Sequence, residues 1–446
     1  RYRLSALPAP VRPRSLTHRM PEANGSAMRC PFAAGPVVLL LLAPFVAVAC
    51  SSSDGGAGSP PASTSPPAAS TPAPDPSSSS EPNGPSPAQC PRVAKADDRT
   101  RKVVISHPFG EGGSKAKAYE VLELSPNGDL TRTNETFEMD RGLAEIAFTP
   151  DGEIGLVAQD DGSVGVFAFD AEGKVRVVHS AFKGDFYASH VVVTRDGSRA
   201  LLLDANTKNN GGGVHEVRIG CDGTLTYVGL AVPGGQAHAM TLLPGDPDRA
   251  VLVAGAAFDS SAGDYVHRLD LAAAKPTRLA SGPAFGDSDA IASWVAVTPD
   301  AKWALVTDNG FAKGSRMAPV ELATMKPAPT MAVANPAAVV MSPFGNAALL
   351  LESDGEDALR PLTYDPASAD APFTVGPEIA YKDGKKTELP LIAIAIDRGS
   401  LKGRVLVAEN QAVRQLAFAQ DGSITDLGVL AFDGFTGMVG SLGVQP

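Results

Sequence analysis

Six segments of the chain repeat one pattern: an apolar run, a turn bearing Pro, Asp or Gly, and a second apolar run. They are EIAFTPDGEIGLVAQ (145–159), HVVVTRDGSRALLLD (190–204), HAMTLLPGDPDRAVLVAG (238–255), WVAVTPDAKWALVTD (294–308), AVVMSPFGNAALLLE (338–352) and IAIAIDRGSLKGRVLVAE (392–409). The turns recur every 44 to 55 residues. Short apolar runs broken at such residues read as strand–turn–strand. A third and fourth strand follow in most repeats, as in SVGVFAFDAEGKVRVVHSAF (163–182), and amphipathic helical stretches are absent. Four short strands per repeat of this length predict an all-β, seven-bladed β-propeller over 99–446.

The seventh blade is split. Residues 102–139 supply KVVIS, AYEVLELSPNGDL and TRTNETFEM, which match second, third and fourth strands but lack a first. The C-terminal SLGVQP (441–446) aligns with EIAFTP residue for residue. It is therefore expected to close the ring as the inner strand of that blade, leaving no open edge. The predicted blades are 102–142 with 441–446, 143–187, 188–235, 236–291, 292–335, 336–391 and 392–440.

The residues before the repeats have a different composition. Segment 1–27 is Arg- and Pro-rich without periodicity, and is expected to be upstream sequence with the start at Met20 or Met28. In MRCPFAAGPVVLLLLAPFVAVAC (28–50) the apolar run Val37 to Ala49 spans 13 residues, short for a membrane span and suited to a signal peptide over 28–49. AVAC resembles a bacterial lipobox, which implies lipidation of Cys50 and a membrane-anchored lipoprotein of the cell envelope, on its periplasmic face or the cell surface. Residues 51–89 are almost only Ser, Pro, Gly, Ala and Thr, so 50–98 reads as a disordered tether. Cys90 and Cys221 remain as an even pair in an oxidising setting, and a disulfide between them would pin the tether under the propeller.

Charge narrows the partners. Six Arg and one Glu fall in 1–50, and two Asp and one Glu in 51–90, so −11 overall leaves −13 for 91–446. That excludes nucleic acid and an electrostatic grip on an anionic membrane. The lipid would supply membrane contact to an otherwise monomeric domain.

In a propeller the start of each inner strand and the end of the second strand ring one mouth. Glu145, His190 and His238 stand at or one place from such starts in consecutive blades, a set suited to acid–base catalysis or a divalent metal. Trp294, at the same level, would stack on a sugar ring or be buried between blades. The second strands end on His107, Asp160, Asp204, Asp308, Glu352 and Glu409. These read either as a ring attracting cations or a basic partner, or as strand caps bonding their own backbone. The loops after the second strand are long and Gly-rich in several blades, as in HPFGEGGSK and ANTKNNGGG. Neither ends in Gly-Lys-Ser/Thr, and the chain has no G-x-S-x-G or H-E-x-x-H.

The apolar–PDG–apolar turns resemble those of the seven-bladed lactonase-like (YVTN-type) propellers. That family often carries Pro-His at the start of the inner strand and an acidic residue after the second. His190 and Asp204 match those positions, with Ser189 in place of the Pro. The resemblance implies lactone hydrolysis at the mouth. The residues themselves, lacking a catalytic motif, suggest first a binding platform for a protein, peptide or glycan, with a hydrolase or a structural envelope component as alternatives.

Overall fold

The computed structural model describes residue 90 and residues 92–446, apart from 108–117, 160–161, 179–187, 206–211, 256–264, 273–274, 287–289, 291, 309–314, 354–356 and 433–436. The expected leader, Cys50 and most of the tether lie outside the described residues, as do Asp160 and most of the Gly-rich loops.

Seven separate sheets form, and each is one of the expected blades. Strand order within a sheet follows the sequence, as in 188–193, 199–204, 213–219 and 225–233 of blade 3. Blade 5 splits its outermost position between two short strands. In blade 1, residues 441–444 pair antiparallel with 103–106, so the C-terminal strand closes the ring as the inner strand.

The core lies between the blades. There are seven clusters of buried apolar side chains, and each joins two neighbouring blades. Leu202 of blade 3 packs with Leu156 of blade 2, for example, while its neighbour Leu203 packs with Leu252 of blade 4. Both faces of a middle strand are therefore dry. That is why runs such as LLL and ALLLE are unbroken instead of alternating with polar residues.

The repeated turn is built locally. In blade 2 the amide of Gly152 donates to Thr149 O, and the Thr149 amide donates to Ile154 O. The Thr149 hydroxyl donates to Asp151 Oδ1, which also accepts from the Glu153 amide. Blades 3 and 5 repeat these bonds at Thr194–Asp196 and Thr298–Asp300. The fourth turn residue has positive φ: Gly152 at 70° and Gly197 at 69°, with Ala301 at 55° in blade 5. A left-handed residue after a tight turn matches the right-handed twist of the flanking strands.

Residue 90 and residues 92–100 form a strap across the end of the ring that carries these turns. Cys90 is joined to Cys221, in the outer turn of blade 3, with Cα atoms 5.4 Å apart. Arg92 donates to Gly197 O, Gly220 O and Asp151 Oδ2, tying blades 2 and 3 together. Asp97 pairs with Arg398 and Asp98 accepts from the Ser400 amide, both in blade 7. The disulfide closes a sequence separation of 131 residues. Its loss in a Cys90→Ser/Cys221→Ser variant is expected to cost about 2–4 kcal/mol, read by guanidinium unfolding. No change in the midpoint would mean that the Arg92 and Asp97 contacts alone hold the strap.

Candidate functional site

The inner strands start at the opposite end from the strap, and most start irregularly. In blade 3, Ala188 pairs with Asp204 and His190 with Leu203, which leaves Ser189 as an extra residue. The same one-residue bulge falls at His238 in blade 4, Ser293 in blade 5 and Ala337 in blade 6. A bulge bends the strand and re-aims its side chain. This explains the register of His238: it occupies the bulge itself, whereas His190 and Trp294 each follow one. The bulge serines are tied down, Ser189 Oγ donating to Ala237 O at 2.8 Å and Ser293 Oγ lying 3.0 Å from Thr307 Oγ1. Among the described residues His238 has no such tie, and its Nε2 is buried without a hydrogen-bond partner.

Glu145 comes to this end differently. Its strand is pulled against the closing strand of blade 1, where the Ile146 amide donates to Leu442 O at 2.8 Å. Glycine at 443 is needed for that approach, since a Cβ there would stand 2.5 Å from Ile146 Cβ. The Glu145 carboxyl is half-buried and has no ion pair or hydrogen bond among the described residues. Burial pushes it up to about 7, and burial likewise pulls His190 and His238 down to about 4. Near neutral pH the site thus holds one carboxyl near its midpoint and two uncharged imidazoles.

Trp294 links the inner strands across the axis. Its Nε1 donates to Val339 O of blade 6 at 3.0 Å, and its ring meets His190 of blade 3 edge to face, centroids 6.0 Å apart. It also packs on the apolar clusters on both sides of blade 5 and on the one between blades 6 and 7. Glu145, His190, His238 and Trp294 thus share one end of the ring. Among the described residues, however, no three His, Cys, Asp or Glu side chains are grouped to hold a metal ion.

The described second-strand ends have partners across the sheet that their own sequence positions do not show. His107, Asp204, Asp308, Glu352 and Glu409 are all buried. Each meets an oppositely ionising side chain from the third strand of its own blade: Asp204 with His215, Asp308 with Arg316, Glu352 with Arg360 and Glu409 with Arg414. Blade 1 reverses the order, with His107 on the second strand and Glu120 on the third, completed by Arg132. In four blades the partner lies two residues into the third strand, the diagonal neighbour on the same face. The signal was present in GVH, ALR and AVR, at the starts of third strands following acidic ends.

No protein-family model and no curated protein matches this chain. Solved structures do. A 6-phosphogluconolactonase candidate from Bacteroides fragilis superposes with a TM-score of 0.55 at 14% identity, covering 79% of this chain and 99% of its own. The periplasmic gluconolactonase of Pseudomonas aeruginosa gives 0.56 at 14%, covering 78% and 99%. A Lactobacillus plantarum protein gives 0.59 at 13%, covering 78% and 100%. At these identities the likeness is one of fold, and the chain is a β-propeller built as those proteins are.

Proposed function

We propose that the end of the ring holding Glu145, His190 and His238 is a small-molecule site that hydrolyses a cyclic ester. The observation that carries this reading is His238 Nε2, a buried nitrogen without a hydrogen-bond partner among the described residues, at the same end as the half-buried Glu145 carboxyl. Buried polar groups are ordinarily satisfied, and unsatisfied ones ask for a ligand or a catalytic role. In the reaction the Glu145 carboxylate takes a proton from water as that water attacks the lactone carbonyl carbon. An imidazole N–H of His190 or His238 holds the developing oxyanion. The ring C–O bond then breaks, and Glu145 returns the proton to the departing alkoxide, giving a hydroxy acid. The fold shared with the periplasmic gluconolactonase and with the 6-phosphogluconolactonase candidate supports this reading.

A broad protein-docking mouth has less support. The exposed large apolar side chains among the described residues are Val93, Tyr227, Val228 and Leu279, on the strap and on outermost strands. The disulfide fits an exported protein, and one similar structure is periplasmic.

Glu145→Gln tests the site twice. Lactone hydrolysis should fall by roughly 100-fold or more, in line with loss of a general base. Stability should move the other way, because the raised folded-state pKa means the carboxyl contributes fully only below about 4.5 and loses that contribution as pH rises through about 7. The variant should therefore melt above the wild type at pH 8 and lose that advantage by pH 4.5. Equal melting shifts at both pH values would remove the perturbed carboxyl from the argument.

A further inference from the structure

A cleft of about 400 Å³ lies between the outer strands of blades 6 and 7 and shares no residue with the axial site. That volume is within the usual range for small-molecule sites. All of its lining residues belong to the described part of the chain. One wall is the third strand of blade 6, Ala358–Tyr364, with residues 377–379 running beside it. The Gly376 amide donates to Pro361 O and the Ile379 amide to Leu359 O, so this stretch is held against the sheet. The facing wall is 421–424, the outer turn of blade 7.

The cleft is rich in acceptors. Asn346 Nδ2 donates to Gln420 O at 2.7 Å, linking the two blades. A carbonyl can only accept, so this bond fixes which way the amide points. Its Oδ1 is left buried with no hydrogen-bond partner among the described residues, and Glu378 Oε1 is buried in the same state. The Tyr381 hydroxyl donates to the Glu378 carboxylate. Lys386 Nζ stands 3.6 Å from Oε1, on a side chain 55% exposed, a weak pair. Asp421 accepts from the Ser423 hydroxyl at 2.7 Å and from its amide at 2.9 Å. Those bonds hold its carboxyl below the usual carboxylate range, so it stays charged.

Buried acceptors are ordinarily satisfied, and these ask for N–H donors. Two carboxylates add a demand for positive charge, while Pro377, Ile379 and Ile424 offer contact to a carbon stem. A bare metal ion fits less well, because no three His, Cys, Asp or Glu side chains among the described residues are grouped to hold one.

We propose that the cleft between blades 6 and 7 binds an organic cation, an ammonium group on a short apolar stem. The ligand ammonium displaces Lys386 from Glu378, and the proposal is independent of the hydrolase reading.

The full chain should be titrated calorimetrically with 1,5-diaminopentane at low ionic strength, beside pentane-1,5-diol and calcium chloride. Glu378→Gln/Asp421→Asn removes both carboxylates of the cleft. Glu138→Gln/Glu172→Gln removes the same charge from exposed positions in blades 1 and 2. The expected result is saturable binding of one diamine per chain, at least about tenfold weaker in the cleft variant, unchanged in the other, and absent for the diol. Lys386→Ala, which removes the competing ammonium, should tighten binding about twofold or more. That gain decides the matter if the cleft variant fails to fold, and its absence would overturn the proposal. Equal losses in the two double variants would reduce the effect to attraction by the domain's overall negative charge. No binding by the wild type, or equal binding of the diol, would overturn the proposal directly. Calcium that displaces the diamine, and whose own binding is lost in the cleft variant, would make this a metal site instead.

Discussion

Removal of residues 441–446 is expected to abolish cooperative folding of the propeller. These six residues do three jobs at once. Residues 441–444 pair with 103–106 and cover what would otherwise be an open sheet edge in the middle of the ring. Leu442 is fully buried in the cluster between blades 1 and 7. Gln445 joins blade 1 to its neighbour and to the strap: its Oε1 accepts from the Lys102 amide and Arg99, its Nε2 donates to Gly152 O, and its carbonyl accepts from Arg101. The lost Leu side chain alone is worth about 1.5–3 kcal/mol and the whole domain is stable by only about 5–15, so the sum approaches the total. The truncated chain should lose its sharp melting transition and aggregate through the exposed edge. Leu442→Ala is the graded version, expected to cost about 2–5 kcal/mol. A truncated protein that still melts cooperatively near the wild-type temperature would show that the ring does not depend on this closure.

Arg414→Met should be the most damaging single substitution away from the axis, costing about 3–5 kcal/mol. Arg414 is buried in blade 7 between two buried carboxylates, bonding Glu409 Oε1 and Asp426 Oδ2 at 2.6 Å each. Its Nη2 also donates to Lys385 O, and its guanidinium lies 4.9 Å from the Tyr381 ring centre. Methionine keeps much of the volume and leaves Glu409 and Asp426 facing each other without a cation. Burial already raises Glu409 against the opposing pull of Arg414, and removing that pull raises it further. A carboxyl with a raised folded-state pKa gives its full contribution at low pH and loses it as pH rises. The variant should therefore be closer to wild type at pH 5 than at pH 8 in denaturant unfolding. A penalty that is the same at both pH values would mean the two carboxylates find other partners.

Much of the architecture was readable because its causes are local. Thr-Pro-Asp-Gly makes its own turn, with the Thr hydroxyl, the Asp carboxylate and the left-handed Gly all within four residues. Runs such as LLLD and ALLLE report strands dry on both faces, so strand count and blade boundaries follow. The match between SLGVQP and EIAFTP located the closing strand because the same inner position imposes the same pattern. The candidate site was only partly legible. Glu145, His190 and His238 were found from their distance to a turn, yet the bulge that carries His238 depends on pairing with the neighbouring strand and leaves no mark in its own residues. The partners of the rim residues were not legible, because an Asp or Glu at a strand end looks alike whether it caps its own backbone, faces water or meets an Arg across the sheet.

Sequence alone therefore determined the number of blades and the way the ring closes, since each depends on short-range patterning. Tertiary structure alone decided that the described rim carboxylates are buried and paired across the sheet, that Trp294 reaches from blade 5 to His190 of blade 3, and that His238 Nε2 is buried without a hydrogen-bond partner among the described residues. Those outcomes turn on contacts between residues tens to hundreds of positions apart, where a shift of one residue in register changes which side chain meets which.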